Sequence, residues 1–394
     1  MEYRRFGKTN KHISTITLGG MRFKQVWEEP RHEIPRATQD HCNQIVDLAI
    51  KNGINHFETA YGYMKSETVF GRTLNDELNI DRSSYYLMSK GNSATANEMR
   101  KLVDTQLKTL KTDYLDFYGW HGINTDEIIS SACKTGGPVE ALLKMKEEGI
   151  IKHVGFSTHA PLEVIEKAIS TDLFEFVNLH YYYFYQRNEA AVALAKEKDM
   201  GVFIISPNDK GGQLYKAPEK IRETIPHSTP IQWNARFCLS NPAVHTLSFG
   251  MTDIEHFTEM KGIFPSHTPL NKPDKESKIK LDEMVNDDPY AFYDGYDSDP
   301  SITEMNIPLL LHWRKLWKCY NLLDFARYRY KELKTPNHWV PGVFATPEAI
   351  NKMNFSSIPK NIPLKDMLTE LHEAFYQAPV DINKIDPTKI TLRK

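Results

Sequence analysis

The chain has 394 residues, 40% of them hydrophobic and 25% charged, with a formal net charge of −2. That length exceeds one small domain and suits one large barrel with an appendage, and the composition supports a sizeable core and excludes global disorder. The balanced charge gives no electrostatic ground for a nucleic-acid or anionic-lipid partner, and no apolar run approaches the ~20 residues of a membrane span.

The polar start Met1–Gly7 has no apolar signal core, so a cytoplasmic location is expected. Cys42, Cys133, Cys238 and Cys319 are scattered and form no CxxC pair. Zinc ribbons, redox motifs and disulfide frameworks are therefore poor readings, and reduced thiols are expected. The oligomeric state is not legible.

In chain order the strand candidates are Ile13–Leu18, Asn55–Thr59, Tyr85–Ser89, Tyr114–Trp120, His153–Ser157, Phe176–Tyr181, Val202–Ser206 and Thr246–Phe249. Helical patterns follow most of them. Thr38–Lys51 and Asn97–Leu110 are the clearest, apolar at i, i+3, i+4 and i+7. Gly53, Gly149 and Gly201 follow helix patterns, where a left-handed residue is expected. Strand–helix alternation predicts a parallel sheet, and eight units in about 260 residues predict a closed (β/α)₈ barrel. An open dinucleotide-binding sheet would carry GxGxxG after its first strand; here that strand ends in Gly19-Gly20-Met21-Arg22.

Residues 1–262 are thus expected as the barrel, 263–305 as linker and irregular chain, and 306–394 as a mostly helical extension. Gly262–Lys275 is proline-rich and polar and reads as a loop, and Asp287–Asp299 is acidic and aromatic. Ile307–Leu333 has a helical rhythm, with Leu310, Trp313, Trp317, Tyr320, Leu323 and Phe325 on one face. Leu364–Phe375 is a last predicted helix. The loop Thr335–Gly342 carries Trp339, and whether it packs or covers a substrate stays open.

Chemistry in such a barrel sits where strands run into the following helices. Strand two delivers Glu58 and then Tyr63, strand three Lys90, and strand four His121. Each alone is weak evidence, since a single Tyr or His is commonly a satisfied structural residue. Together they meet a definite need. Hydride addition to a carbonyl creates an alkoxide, which requires a proton and electrostatic support. A tyrosine becomes a competent acid when a nearby cation favours its phenolate. Lys90 can be that cation, Glu58 can hold Lys90, and His121 can bond the substrate oxygen.

Phe57-Glu58-Thr59-Ala60-Tyr61-Gly62-Tyr63 with Ser66-Glu67 resembles the FDTAxxY…SE signature of the aldo-keto reductases. So do Tyr3–Thr9, Gly19-Gly20-Met21-Arg22, Leu87–Lys90, Asp113–His121, Gly155–His159 and Ile205-Ser206-Pro207, in order over about residues 1–262. The resemblance implies a carbonyl reductase with the tetrad Glu58, Tyr63, Lys90 and His121 and a nicotinamide dinucleotide across the barrel mouth. It implies cofactor contacts at Gly20, Met21 and Arg22, at Ser157 and Asn178 for the carboxamide, and at Ser206, Asn208 and Lys210 near the pyrophosphate. It implies further contacts at Gly250, Met251 and Thr252, with His256 beside them.

Three departures stand out. The family's aspartate is Glu58 here, Ile205 occupies a position often aromatic, and the 2′-phosphate region offers Thr252 and His256 where relatives often place Arg or Lys. The last leaves NADPH against NADH open, with NADPH expected from family habit. The Pro207–Gly212 and His338-Trp339 segments resemble a branch fused to a C-terminal cluster-binding segment. Asp294–Asp299 stands in that region without closely spaced cysteines, so no iron–sulfur cluster is expected.

Two other readings remain. His56, His121, His159 and His180 lie near strand ends, as in a metal-dependent barrel hydrolase, but no HxH pair marks strand one and no carboxylate cluster accompanies them. A non-catalytic, nucleotide-sensing barrel acting through a partner is the second. Trp27, Trp120, Tyr181, Tyr182 and Tyr183 suggest an aromatic-lined pocket, although such runs are also core-forming. The substrate expected is a small carbonyl compound, with no metal site.

Overall fold

A computed structural model describes residues 1–23, 30–298, 302–336 and 338–378. Trp27 and Asp299 lie outside the described residues. The chain forms two compact units, Met1–Leu281 and the remainder from Asp282.

The first unit is the expected barrel. A hairpin of β1 (Tyr3–Arg5) and β2 (His12–Ser14) precedes eight parallel strands. These are β3 (Ile16–Gly19), β4 (His56–Glu58), β5 (Tyr86–Gly91), β6 (Leu115–His121), β7 (Ile151–Ser157), β8 (Phe176–Leu179), β9 (Gly201–Ile204) and β10 (Thr246–Phe249). They close in chain order, with β10 paired to β3. The predicted first strand, Ile13–Leu18, is thereby split. Its first half pairs back on β1 and only its second half enters the barrel, because Thr15 turns the chain between the two sheets.

Phe6, in the turn after β1, packs against Phe117, Phe176, His56 and His245 and is fully buried. It also explains Gly201, which is not the left-handed residue expected. A Cβ there would lie 2.5 Å from the Phe6 ring, and Asp199 takes the positive φ, +49°, instead. Gly53 and Gly149 do adopt it, at +82° and +80°.

The helices Arg36–Lys51 and Ala96–Leu110 bury the faces their periodicity defines; the second starts on a Thr95/Glu98 capping box. The stretch expected as linker is helical over Lys272–Glu283. Its apolar content is too low to announce a helix, but Asp274 is buried in a bidentate pair with Arg236, Nε–Oδ2 2.6 Å and Nη2–Oδ1 2.9 Å.

In the second unit the rhythm from Ile307 is two helices, Ile307–Tyr320 and Leu323–Tyr330. They are separated by Asn321 in the left-handed conformation, which asparagine tolerates better than most residues. Leu310, Trp313, Tyr320 and Phe325 are buried, and Leu364–Phe375 is helical as predicted. Trp339 packs against this unit's own core and under Arg329. Among the described residues no helix is long and apolar enough to cross a membrane.

Candidate active site

The segment after β4 folds back on the end of β5. The Thr59 N–H donates to the Met88 carbonyl at 2.9 Å, Tyr61 N–H to the Lys90 carbonyl at 2.8 Å, and Tyr63 N–H to the Ala60 carbonyl at 2.9 Å. Thr59 Oγ1 then donates to Ser66 Oγ at 2.8 Å, closing the loop at the next helix, Ser66–Gly71. These bonds fix Tyr63 beside Lys90.

Lys90 is fully buried. Its ammonium donates to Glu58 Oε1 and, at 3.0 Å, to the Thr59 carbonyl. The opposite position on β6 is Gly119, where a Cβ would stand 3.0 Å from Lys90 Cγ, so the lysine stem occupies space a side chain would take. Tyr63 Oη donates to Glu58 Oε1 at 3.3 Å, and Lys90 Nζ lies 4.7 Å from the Tyr63 ring centroid. His121, at the end of β6, meets Tyr63 edge-on with centroids 5.7 Å apart. The four predicted side chains therefore converge.

Burial sets their electrostatics. It pushes the Tyr63 phenol well above the usual range, opposed by Arg22, so the hydroxyl stays protonated at neutral pH. Burial, aided by the charges of Lys90 and Lys210, pulls His121 down to about 3, so its imidazole is neutral. Burial and Lys210 pull Lys90 well below its ordinary value; the Glu58 carboxylate is the group that favours its charged form.

Behind β5 a buried network supports Lys90. Ser89 Oγ and Gln106 Nε2 both donate to Glu67 Oε1 at 2.6 Å, Gln106 Nε2 also reaches the Lys90 carbonyl at 3.2 Å, and Tyr118 Oη donates to Gln106 Oε1 at 2.7 Å. This gives the Glu67 of the quoted motif a positional role.

Glu58, Tyr63 and His121 line a cleft that opens to solvent, together with Met21, Arg22, Ser157, Asn178, Ser206, Lys210 and Gly250. Lys90 lies beneath it. Gly20, Asn208, Met251, Thr252 and His256 are not among the lining residues. Gly20 is packed against Ser66 and Phe70, and the His256 ring accepts the Thr252 N–H at 3.1 Å. Trp120, Tyr181, Tyr182 and Tyr183 are buried elsewhere; on the helix Pro230–Ser240, Phe237 stacks with Tyr181 and meets Tyr183 edge-on.

Sequence reasoning missed Gly19, Ser248 and, as a cleft residue, His159. Ser248 Oγ donates to Glu58 Oε2 at 3.3 Å. The signal for His159 was present: it follows Ser157 at the strand period of two. Arg22 Nη2 also pairs with Asp209 Oδ2 at 2.8 Å, linking the loops after β3 and β9.

The cleft lining includes side chains that could hold a dinucleotide. Ser157 Oγ accepts the Gly122 N–H at 3.3 Å and keeps its hydroxyl hydrogen to donate. Asn178 Nδ2 donates to the Phe203 carbonyl at 3.1 Å, which orients its amide. Arg22 and Lys210 bring positive charge to the same cleft. Those described residues contain no group of three or more His, Cys, Asp or Glu placed to hold a metal ion.

A parallel eight-stranded barrel with this cluster at the carboxyl ends of its strands defines the class: a (β/α)₈-barrel oxidoreductase. The chain belongs to the aldo/keto reductase family, whose model matches residues 15–227. It is 23% identical over 297 residues to an uncharacterised oxidoreductase of Bacillus subtilis, YqkF, covering 66% of this chain and 90% of that protein. It is 29% identical to L-galactose dehydrogenase of Arabidopsis thaliana over 42% of this chain and half of that protein. Among solved structures, the aldo-keto reductase AKR11C1 from Bacillus halodurans in its holo form superposes with a TM-score of 0.59 at 22% identity. The superposition covers 71% of this chain and 96% of that one, and supports the fold.

Proposed function

We propose that the chain reduces an aldehyde or ketone to an alcohol at the expense of a nicotinamide dinucleotide, with Tyr63 as general acid. The observation that carries this reading is the convergence of Tyr63, Glu58, Lys90 and His121 at one end of the cleft. When bound, the nicotinamide supplies the hydride. Ser157 and Asn178 would hold its amide, and Arg22, Ser206, Asn208 and Lys210 its diphosphate.

The chain's own residues manage the proton. His121, neutral at physiological pH, can donate a hydrogen bond to the carbonyl oxygen and polarise it. Tyr63 delivers its hydroxyl proton to the developing alkoxide, and Lys90, held by Glu58, supports the phenolate left behind. Aliphatic packing from Ile205 lines the same cleft.

NADPH is the expected cofactor, with NADH an accepted substitute, because His256 and Thr252 offer the 2′-phosphate no lysine or arginine. The second unit is read as a retained appendage without an iron–sulfur cluster, and the chain as a cytoplasmic enzyme that acts without nucleic acid or membrane. The similarity to L-galactose dehydrogenase adds sugar aldehydes to the candidate substrates. Oxidation of NADPH and NADH is to be followed against a panel of aldehydes, ketones, quinones and sugars. Turnover of at least one carbonyl is expected; a folded, nucleotide-binding protein that turns over none would favour the nucleotide-sensing barrel.

A further inference from the structure

The turn that carries Tyr63 is held from two sides. The barrel holds it through the Tyr61 N–H, which donates to the Lys90 carbonyl at 2.8 Å. From the other side comes Arg31, in the loop between β3 and the helix Arg36–Lys51. Arg31 Nη2 donates to the Tyr61 carbonyl at 2.6 Å, and its guanidinium carbon lies 3.9 Å from the centroid of the Tyr61 ring. A guanidinium can serve both contacts, as a hydrogen-bond donor and as a cation over a ring. The Tyr61–Gly62 peptide whose oxygen Arg31 holds also runs past His121: a Cβ on Gly62 would lie 3.6 Å from His121 Cε1.

The same guanidinium reaches the buried support of Lys90. Arg31 Nη1 lies 3.5 Å from Glu67 Oε2, and Glu67 is almost wholly excluded from water. The other oxygen of Glu67 receives Ser89 and Gln106, and Gln106 also bonds the Lys90 carbonyl. Burial pushes the Glu67 carboxyl up, and the bonds from Ser89 and Gln106 together with the Arg31 charge oppose that shift. Arg31 is itself anchored at its backbone. Thr68 Oγ1 donates to the Arg31 carbonyl at 3.1 Å, Arg72 Nη2 donates to the His32 carbonyl at 3.0 Å, and the Glu33 N–H closes a turn on the Pro30 carbonyl at 3.1 Å.

We infer that Arg31 is a positioning residue of the reaction: it clamps the Tyr61–Gly62 peptide against Glu67 and so keeps Tyr63 in register with Lys90 and His121. The inference rests on the reductase reading for the reaction that this register serves. Arg31 is not among the residues lining the cleft, so its effect passes through the turn and not through contact with a bound molecule.

The first measurement is steady-state kinetics of Arg31→Met with NADPH and propanal. A kcat lower by about tenfold or more is expected, because small misplacements at a reacting centre cost that much even from a distance. KM and the Kd for NADPH are expected to stay within about twofold of wild type, the pattern of an interaction that matters only in the transition state. Arg31→Lys keeps the charge but not the planar fork, and its kcat is expected to fall between the two. A lower Tm with kcat unchanged in both variants would mark a merely structural contact and overturns the proposal. So does a loss carried by KM or by the NADPH Kd alone.

The second measurement needs no turnover. In the full chain labelled with ¹³C in its tyrosine rings, Tyr63→Phe and Tyr330→Phe assign two of the signals. Arg31→Met and Arg31→Lys are expected to shift the Tyr63 signal, because that ring stands edge-on to His121, while the signal of Tyr330 in the second unit holds. An unmoved Tyr63 signal overturns the proposal. If the wild-type chain turns over no carbonyl, the reductase reading fails, while the Tyr63 signal still decides whether Arg31 positions that side chain.

Discussion

Tyr63 donates its hydroxyl hydrogen to the carboxylate oxygen of Glu58 that also receives the Lys90 ammonium. Tyr63 and Lys90 thus share one carboxylate oxygen, in a site where Lys90 and Glu58 are almost wholly excluded from water. Tyr63→Phe removes the transferable proton and is expected to lower kcat by about 10² or more while NADPH still binds. Lys90→Met leaves nothing to favour phenolate and is expected to abolish turnover. Steady-state rates with a titration of NADPH check both; near-normal turnover by Tyr63→Phe would remove it from the acid role.

Glu58→Asp shortens the side chain by one methylene. The pair with Lys90 is the contact it must keep, and the 3.3 Å bonds from Tyr63 and Ser248 are the ones it loses first. Activity within roughly tenfold of wild type is expected, because Lys90 retains its counter-ion. A folded but inactive Glu58→Asp chain would show that the direct contact with Tyr63 is itself required, since proton-transfer geometry is unforgiving.

The convergence of Glu58, Tyr63, Lys90 and His121 was legible because alternation places the strand ends of a barrel, and Glu58, Lys90 and His121 each close a strand or nearly so. The supporting contacts were not. Ser248 reaches Glu58 only because β10 closes on β3, a pairing between residues far apart in sequence. Asp274 makes a helix of an expected linker through a partner on another helix, Arg236. Phe6 excludes a side chain at Gly201 across the bottom of the barrel. Local pattern carries the elements, whereas contacts made by closure are set by tertiary geometry.

Cofactor choice follows from what is missing around Thr252. Its N–H is already bonded to the His256 ring, and neither residue brings a permanent positive charge. NADPH is expected to bind more tightly than NADH by less than about tenfold, or about 1.4 kcal/mol. His256→Arg is expected to widen that gap, because a guanidinium can bond a phosphate bidentately. Dissociation constants from fluorescence quenching decide it, and tighter binding of NADH to the wild type would refute the expectation.

The second unit is pinned by a buried cation. Arg314 bonds Asp288 at 2.5 Å and Glu370 at 3.1 Å, and Lys318 also bonds Glu370. Arg314→Ala strands the buried Asp288 carboxylate without its cation, at a cost of about 3–5 kcal/mol. Limited proteolysis is expected to cut this unit faster in the variant while the barrel resists. A cleavage rate equal to wild type would mean that the ion pair contributes little.

His56 sets the last expectation. It is fully buried among Phe6, Phe117 and Phe203, with Nδ1 bonded to Thr17 Oγ1 at 2.7 Å and Nε2 without a hydrogen-bond partner among the described residues. Burial and the nearby Lys90 charge pull its pKa from 6.5 down to about 3. Between those values the unfolded chain binds a proton that the folded chain does not, so stability falls as pH falls from 6.5 toward 3. The contribution reaches about 3 kcal/mol by pH 4. His121 at about 3 and His245 at about 4 act in the same direction and window. Glu175, held near 2 against burial by bonds from His153 and Lys146, adds its own loss only below about 4.5. Tm is therefore expected to drop steadily from pH 6.5 to 4.5, before most carboxylates titrate. His56→Phe places a non-titrating ring in an aromatic site where Thr17 keeps Thr246 as a partner at 2.7 Å. Its Tm should fall less steeply over that interval. Parallel Tm profiles for the variant and the wild type would show that His56 does not carry the acid sensitivity.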